Sequence, residues 1–180
     1  MKIHWISPYR TDKNIGLAIN EAITQLQPAD DDWIVHTDHD VLFLLPNSKA
    51  DIIELLETQT EYDILGAGAN RLSLKHQVFP GMFEVFDISH HVNKAKELQE
   101  LHKGKVRPTN DGIAAMCMCF HYSLWKKVGG FKENRINFDT LFCHFAQKEG
   151  AKMGVMLGVY VFHLYRWGVE YPGREINHLR

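Results

Sequence analysis

The sequence lacks the features that mark membrane, secreted and nucleic-acid-binding proteins. It contains no apolar run near the roughly 20 residues that a membrane-spanning helix needs. The apolar stretch Ile3-His4-Trp5-Ile6 is too short for a secretory signal. Acidic and basic residues nearly balance, with 22 Asp and Glu against 20 Lys and Arg, so no excess of positive charge favours a nucleic acid. We expect a cytoplasmic protein with no membrane span and no nucleic acid partner.

Cysteine and proline are also scarce. The three cysteines, Cys117, Cys119 and Cys143, cannot all pair with one another and have no CxxC spacing, so we expect buried free thiols. The six prolines are scattered, and no linker, internal repeat or low-complexity segment divides the chain. Because 180 residues with 45% hydrophobic content suffice for one well-buried core, we expect a single domain over residues 1–180.

The sequence does contain an alternation of strand and helix patterns, which predicts an α/β fold with a mixed or parallel sheet. Apolar residues at helical spacing after Thr11-Asp12 predict a helix that ends before Pro28. The segment 153–164 is apolar on both faces and predicts an interior strand of a sheet covered on both sides. The other predicted strands are 2–7, 33–37, 62–66 and 113–120. The other predicted helices are 49–58, 93–102, 139–149 and a short helix capped by Ser123 and closed by Gly129. Residues 104–112 predict a polar loop.

Two carboxylates, Asp38 and Asp40, lie just behind the apolar run Trp33-Ile34-Val35. Acidic side chains at the carboxyl edge of a parallel sheet can hold a divalent cation through oxygen ligands, and such a cation can neutralise a diphosphate. The arrangement therefore favours nucleotide-sugar chemistry. An Asp-x-Asp sequence also occurs often by chance, and the alternative for Asp38 is a loop residue that caps its own turn.

Several short motifs follow one another in a characteristic order. They are Asn14-x-Gly16-x-x-x-Asn20, Asp38-His39-Asp40, Gly112, Val128-Gly129-Gly130-Phe131-Lys132-Glu133, Asp139, Gly150 and His163. Their order and spacing resemble the family 2 glycosyltransferases of the GT-A fold over most of the chain. The resemblance implies a single GT-A-like α/β domain with a mixed, mostly parallel sheet flanked by helices. It also implies a nucleotide-diphosphate-sugar site that requires Mn²⁺ or Mg²⁺.

The resemblance assigns roles to four residues. It makes Asp40 a metal ligand and Asp38 the partner of sugar or ribose hydroxyls. His163 completes the metal site, although a lone histidine that ends an apolar strand is usually structural; manganese accepts such mixed oxygen and imidazole sets. Asp139 is the catalytic base, and the free N–H groups at the start of its helix should keep it ionised. The alternative for Asp139 is a plain N-cap.

Base and diphosphate recognition depart from the family pattern. The resemblance begins with residues 2–16, and we expect the region that the family places before this segment to be missing. Tyr9 would instead stack on uracil, and Asp12 would accept a hydrogen bond from the ring nitrogen. In the tail, Arg166 is a candidate for binding the diphosphate, with a solvated arginine as the alternative. Phe138 stands where the family commonly has an acidic residue.

The implied activity is the transfer of a hexose from a nucleotide-diphosphate donor, a UDP-sugar, to a hydroxyl acceptor with inversion. The acceptor would be a glycan, a lipid-linked compound or a protein. Two other functions stay open. One is a non-catalytic module that binds a nucleotide or a carbohydrate, and the other is a metal-dependent hydrolase of phosphate esters.

The remaining motif residues have plainer expected roles. We expect His90 and His91 to diverge on a strand, and both to be solvated or core residues rather than metal ligands, as we do for His121 and His144. Gly16 should let its helix approach a neighbouring backbone, and Asn20 should tie that helix to the metal loop.

Overall fold

The computed structural model describes residues 1–83 and 85–164. Within these residues the chain forms seven strands, five α-helices and one 3-10 helix, Lys75–Gln77. The strands are β1 (Ile3–Ile6), β2 (Trp33–Thr37), β3 (Val41–Phe43), β4 (Ile64–Ala69), β5 (Val106–Thr109), β6 (Cys117–His121) and β7 (Met153–His163). The α-helices are α1 (Ile15–Leu26), α2 (Ser48–Thr58), α3 (Ile88–His102), α4 (Tyr122–Val128) and α5 (Phe138–Lys148).

All seven strands join one mixed sheet in the order β1-β2-β6-β4-β7-β3, and β5 also pairs with β7. Only β1 with β2 and β4 with β7 run parallel; the other four strand pairs of the described residues are antiparallel. The expectation of a mostly parallel sheet is therefore wrong. The cause is β6, which lies between β2 and β4 and runs against both, together with β3 and β5, which run against β7.

Helices cover both faces of this sheet. Ile34 packs with residues of α1, α4 and α5 in one cluster, whereas its neighbours Trp33 and Val35 pack with residues of α2 in another. Because successive side chains of a strand point to opposite faces, the two clusters lie on opposite sides of β2. Helix α3 packs on β7 through Leu98 and Tyr160. The described residues thus form one α/β domain, with β7 in the interior of the sheet as expected.

Helix α3 begins earlier than the sequence pattern predicts. The side chain of Asp87 accepts a hydrogen bond from the main-chain N–H of Ser89 and so caps the helix before Ile88. His90 and His91 therefore lie on a helix, and their prediction on a strand is wrong. His91 is a core residue, as expected, because it is fully buried and its ring bonds Tyr160 Oη at 2.7 Å.

Three further elements differ from the prediction. Strand β3 was not predicted, because three residues are too few to show a period. The loop predicted over 104–112 contains β5, whose Pro108 is tolerated at a sheet edge. Ser123 lies inside α4 and does not cap it, although the helix does close at Gly129 in the left-handed conformation (φ 76°).

The three cysteines are buried and free, as expected. Among the described residues, no helix is both long enough and apolar enough to cross a membrane.

Close packing at the start of α1 requires the small side chain of Gly16. A Cβ atom at this position would lie 2.5 Å from the main-chain oxygen of Lys132. The expected close approach of backbones is confirmed. Asn20 has a different partner from the one predicted: its side chain bonds both the N–H and the C=O of Phe131, so it ties α1 to the turn after α4 and not to the metal loop.

We expect Gly16→Ala to lower the free energy of unfolding by about 1–3 kcal/mol, because the backbone near Lys132 must shift. Urea unfolding would measure the loss. Gly112→Ala is the matched control, since its added Cβ would have its nearest neighbour at an ordinary 3.7 Å. Equal stabilities of the two variants would contradict the packing argument.

Asp32 holds the start of β1 through hydrogen bonds and makes the stability of the domain depend on pH. This carboxylate is 3% exposed and accepts hydrogen bonds from His4 Nε2 and from the main-chain N–H groups of Lys2 and Ala29. The bond from His4, followed by those N–H groups, lowers the pKa of Asp32 from 3.8 to about 2. A lowered pKa stabilises the folded state above pH 3.8, and this stabilisation is lost as the pH falls through the pKa in the folded state.

We therefore expect Asp32→Asn to lower the free energy of unfolding by about 2 kcal/mol at pH 7. The difference from the wild type should shrink between pH 4 and pH 2. Denaturant titrations at several pH values would measure it. Asp31→Asn is the control, because Asp31 is exposed and its ion pair within residues 1–83 and 85–164 is with the amino terminus. A difference that stays constant with pH would contradict the assignment.

Candidate functional site

A single cavity of about 650 Å³ collects most of the predicted site residues. Tyr9, Asp38, Asp40, Asp139 and His163 all line it. The other lining residues are Pro8, Arg10, Lys13, Ile15, Ala18, His39, Leu72, Ser73, Ala114, Ala115, Met116, Ile136 and Phe138. The lining residues come from the segments after β1, β2 and β4, from the segment before β6, from the end of β7 and from the starts of α1 and α5. The cavity is large enough for a small-molecule ligand.

Asp38, Asp40 and His163 form a group whose potential ligand atoms all lie within 4.8 Å of one another. It is the one group of three or more such side chains that residues 1–83 and 85–164 contain. Strand pairing builds it. Val41 pairs with His163, and the N–H of Leu164 bonds the main-chain oxygen of Asp40 at 2.8 Å, so the turn after β2 is held against the end of β7.

The ring of His163 has a defined orientation. Its Nδ1 lies 2.8 Å from the main-chain oxygen of Arg71, so Nδ1 carries the hydrogen and donates. Its main-chain N–H donates to the side chain of Asn70 at 2.7 Å. As a result Nε2 faces Asp40, 3.3 Å from Oδ1. This is the arrangement of a metal-binding histidine, whose second nitrogen is normally held by a carbonyl or a carboxylate.

The same contact also fits an ion pair between a protonated His163 and an ionised Asp40. Burial lowers the pKa of His163, but the hydrogen bond and the charge of Asp40, together with the Arg71 carbonyl and the charge of Asp38, outweigh burial and raise this pKa above its usual value. In turn, His163 lowers the pKa of Asp40. A protonated His163 and an ionised Asp40 stabilise each other without a metal ion, so the geometry alone fits both roles.

Asp38 is less exposed than Asp40, and it has a buried neighbour, His36, that belongs to none of the sequence motifs. Burial raises the pKa of the Asp38 carboxyl. His36 is 1% exposed, and its Nδ1 lies 2.7 Å from the main-chain oxygen of Ala115. Its Nε2 lies 3.9 Å from Asp38 Oδ1 and has no hydrogen-bond partner among the described residues. The sequence does indicate that His36 lies near Asp38, because residues two apart on a strand point to the same face.

Asp139 lies in the first turn of α5, after Asn137 at the N-cap position, so the plain N-cap alternative is wrong. Its Oδ2 accepts from the N–H of Ala115 at 3.2 Å, and its Oδ1 accepts from the N–H of Thr140 at 2.7 Å. We expected such N–H groups to keep the carboxyl ionised. Burial acts in the opposite direction and is stronger, so the pKa of Asp139 is raised. A raised pKa makes the carboxylate a stronger base.

Of the remaining predicted residues that the structure describes, Tyr9 lines the cavity and Asp12 does not. Tyr9 is 71% exposed at the cavity, with its ring edge-to-face against His39 at 5.3 Å. Asp12 is not among the lining residues; its carboxylate bonds Arg10 and the N–H of Asn14, and Arg10 is the main cause of a pKa lowered to about 2. Its role toward a base stays a prediction. Arg166 lies outside the described residues.

No known family model matches the chain, and no curated protein is similar to it. The resemblance to family 2 glycosyltransferases therefore rests on the order and spacing of the motifs alone. Any function must be argued from the geometry of the cavity.

Asp38, Asp40 and His163 offer side chains of the types that hold metal ions. Two carboxylates and one imidazole suit Mn²⁺, which accepts nitrogen as well as oxygen, whereas Mg²⁺ prefers oxygen ligands and water. The fixed Nδ1–H of His163 leaves Nε2 as the atom that faces the carboxylates.

Proposed function

We propose that this chain is a metal-dependent glycosyltransferase of the hexosyl type. It transfers a sugar from a nucleotide-diphosphate donor, a UDP-sugar, to a hydroxyl acceptor. One observation carries the proposal: a single cavity joins the Asp38, Asp40 and His163 group to a half-buried carboxylate, Asp139. The first group supplies cation ligands, and the second supplies a base, which are the two parts that glycosyl transfer needs.

On this proposal Asp40 and His163 hold Mn²⁺, with Mg²⁺ as the weaker fit, and Asp38 binds hydroxyls of the sugar or the ribose. A divalent cation, when bound, neutralises the charge of the leaving diphosphate. Tyr9, exposed beside His39, offers a ring face on which the base of the nucleotide can stack. The donor is then held between Tyr9 and the group of Asp38, Asp40 and His163.

Asp139 takes the proton of the acceptor. As the acceptor oxygen forms its bond with the anomeric carbon, the bond from that carbon to the diphosphate oxygen breaks, and the proton passes to Asp139. The N–H groups of Ala115 and Thr140 hold the carboxylate in place. The raised pKa of Asp139 favours this step because the carboxylate binds a proton more strongly than a solvated one. Direct attack by the acceptor would invert the anomeric configuration.

Calorimetric titration with UDP and UDP-glucose tests the donor site, with Mn²⁺ present and with the metal chelated. Binding that requires Mn²⁺, followed by sugar transfer in an acceptor screen, would support the proposal. Binding without transfer would favour the nucleotide-binding module. Release of phosphate or nucleoside monophosphate without sugar transfer would favour the hydrolase. A folded protein that binds no nucleotide under either condition would overturn the proposal.

A further inference from the structure

Large apolar side chains are exposed at the cavity next to Asp139. Ile136 is 98% exposed, and Ile15 is 39% exposed. Both line the cavity, as does Phe138, the residue directly before Asp139. Single exposed apolar residues are normal on a protein surface. Here two come from separate segments of the chain and meet at one cavity beside the proposed base, which marks a contact surface for a ligand.

Ile15 and Ile136 form an apolar wall of the cavity, and hydrogen bonds join the two segments that carry them. Asn14 Nδ2 donates to Asn134 Oδ1 at 3.0 Å, and the N–H of Asn134 donates to Asn14 Oδ1 at 3.0 Å. The reciprocal pair joins the start of α1 to the segment that carries Ile136. Asn134 adopts the left-handed conformation (φ 53°), which asparagine tolerates better than most residues. Ile15 and Ile136 are therefore held beside the same cavity by a defined contact.

The apolar wall and the donor group belong to different parts of the lining. Asp38, Asp40 and His163 follow β2 and end β7, and Tyr9 contacts His39 between the two carboxylates. Ile136 and Phe138 instead precede and begin α5, next to Asp139. A ligand that reaches Asp139 with its hydroxyl thus places its carbon skeleton against apolar side chains. These side chains cannot form hydrogen bonds with the many hydroxyls of an unmodified sugar.

We propose that the acceptor is a hydroxyl on an apolar skeleton, an alcohol or a phenol, whose carbon framework contacts Ile15 and Ile136 while its oxygen faces Asp139. This inference rests on the proposed glycosyl transfer and specifies its acceptor. The acceptor loses its O–H proton to Asp139, gains a bond to the anomeric carbon, and displaces the nucleoside diphosphate. Contact with Ile136 removes apolar surface from water, and this supplies the binding energy.

Fluorescence titration with 4-methylumbelliferone, a phenol, tests the inference, and methyl β-D-glucoside serves as the polar probe in parallel calorimetry. Both are measured in the presence of UDP and Mn²⁺. We expect the phenol to bind more tightly than the glucoside. Ile136→Ser should weaken phenol binding about tenfold, as expected for the loss of most of one apolar side-chain contact. Ile136→Leu should retain it, and UDP affinity should be unchanged in both variants.

Leu101→Ser is the matched control, because Leu101 is 57% exposed on α3 and does not line the cavity. Ile136 is almost fully exposed, so its replacement should not unfold the domain, and a thermal melt checks this. Equal affinity of the wild type for both probes, or no effect of Ile136→Ser, would overturn the acceptor assignment alone. Weaker UDP binding in Ile136→Ser would assign the wall to the nucleotide base instead. Absence of Mn²⁺-dependent UDP binding in the wild type would overturn the glycosyl transfer and the acceptor with it.

Discussion

Asp40→Ala is expected to abolish the Mn²⁺-dependent part of UDP binding, with a loss of at least about 100-fold in affinity. Replacement of residues that only support a metal ligand already lowers metal affinity 10–100-fold, so the loss of a ligand itself should exceed this range. In this chain the effect should be large because Asp40 Oδ1 lies 3.3 Å from His163 Nε2, and its removal leaves only Asp38 and one imidazole. Calorimetry with Mn²⁺ and UDP measures it.

Two comparisons distinguish whether Asp40 is a metal ligand or only the ion-pair partner of His163. If Asp40 only pairs with His163, Asp40→Ala should lower the stability of the protein and leave nucleotide binding unchanged with or without Mn²⁺. His163→Ala should match Asp40→Ala in Mn²⁺ affinity if both are ligands. Asp30→Ala is the control, since Asp30 is an exposed carboxylate that pairs with Lys126 away from the cavity. Full Mn²⁺-dependent binding in Asp40→Ala would refute the proposed metal site.

Asp139→Asn is expected to lower the rate of sugar transfer about 10²–10⁴-fold while donor binding is retained. This is the usual contribution of a positioned general base. Asparagine has nearly the same shape, but its amide cannot take a proton. Because Ala115 and Thr140 each donate to one carboxylate oxygen, the NH₂ group must face one of these donors, and the variant should also lose about 1–3 kcal/mol of stability.

Single-turnover kinetics with a labelled donor would measure the transfer rate, and calorimetry with UDP would measure donor binding on the same sample. Thr140→Ala is the control for disturbance of the first turn of α5, because it removes only a 3.4 Å hydroxyl contact and keeps the main-chain donor. Turnover at the wild-type rate in Asp139→Asn would rule out Asp139 as the base. Loss of UDP binding would show instead that Asp139 supports the donor site.

Local patterns in the sequence predicted most of the elements. The apolar period of α1, the compact run of β2 and the long apolar β7 were all recognisable, because helix and strand spacing follow from which side chains face the core. The order of Asp38, Asp40, Asp139 and His163 along the chain also led to one cavity. Their proposed roles, and the resemblance to a GT-A glycosyltransferase, remain predictions.

What the sequence did not reveal depends on pairing between distant segments. The direction of β6 between β2 and β4 follows from tertiary packing, which no local period records. His36 was overlooked because an isolated histidine within an apolar strand has no motif of its own. The raised pKa of Asp139 was missed for a related reason: the helix start was visible in the sequence, but the burial that outweighs it was not.

The pairing of β3 with β7 has a consequence for the order of folding. Val41 meets His163 across more than a hundred residues of chain, so the three potential cation ligands come together only after β7 has joined the sheet. Contacts of such long sequence separation form late and slowly. A ligand that binds these residues favours the fully assembled sheet over every state in which β7 is detached. Occupancy of the cavity would thus stabilise the pairing of the final strand with the rest of the sheet.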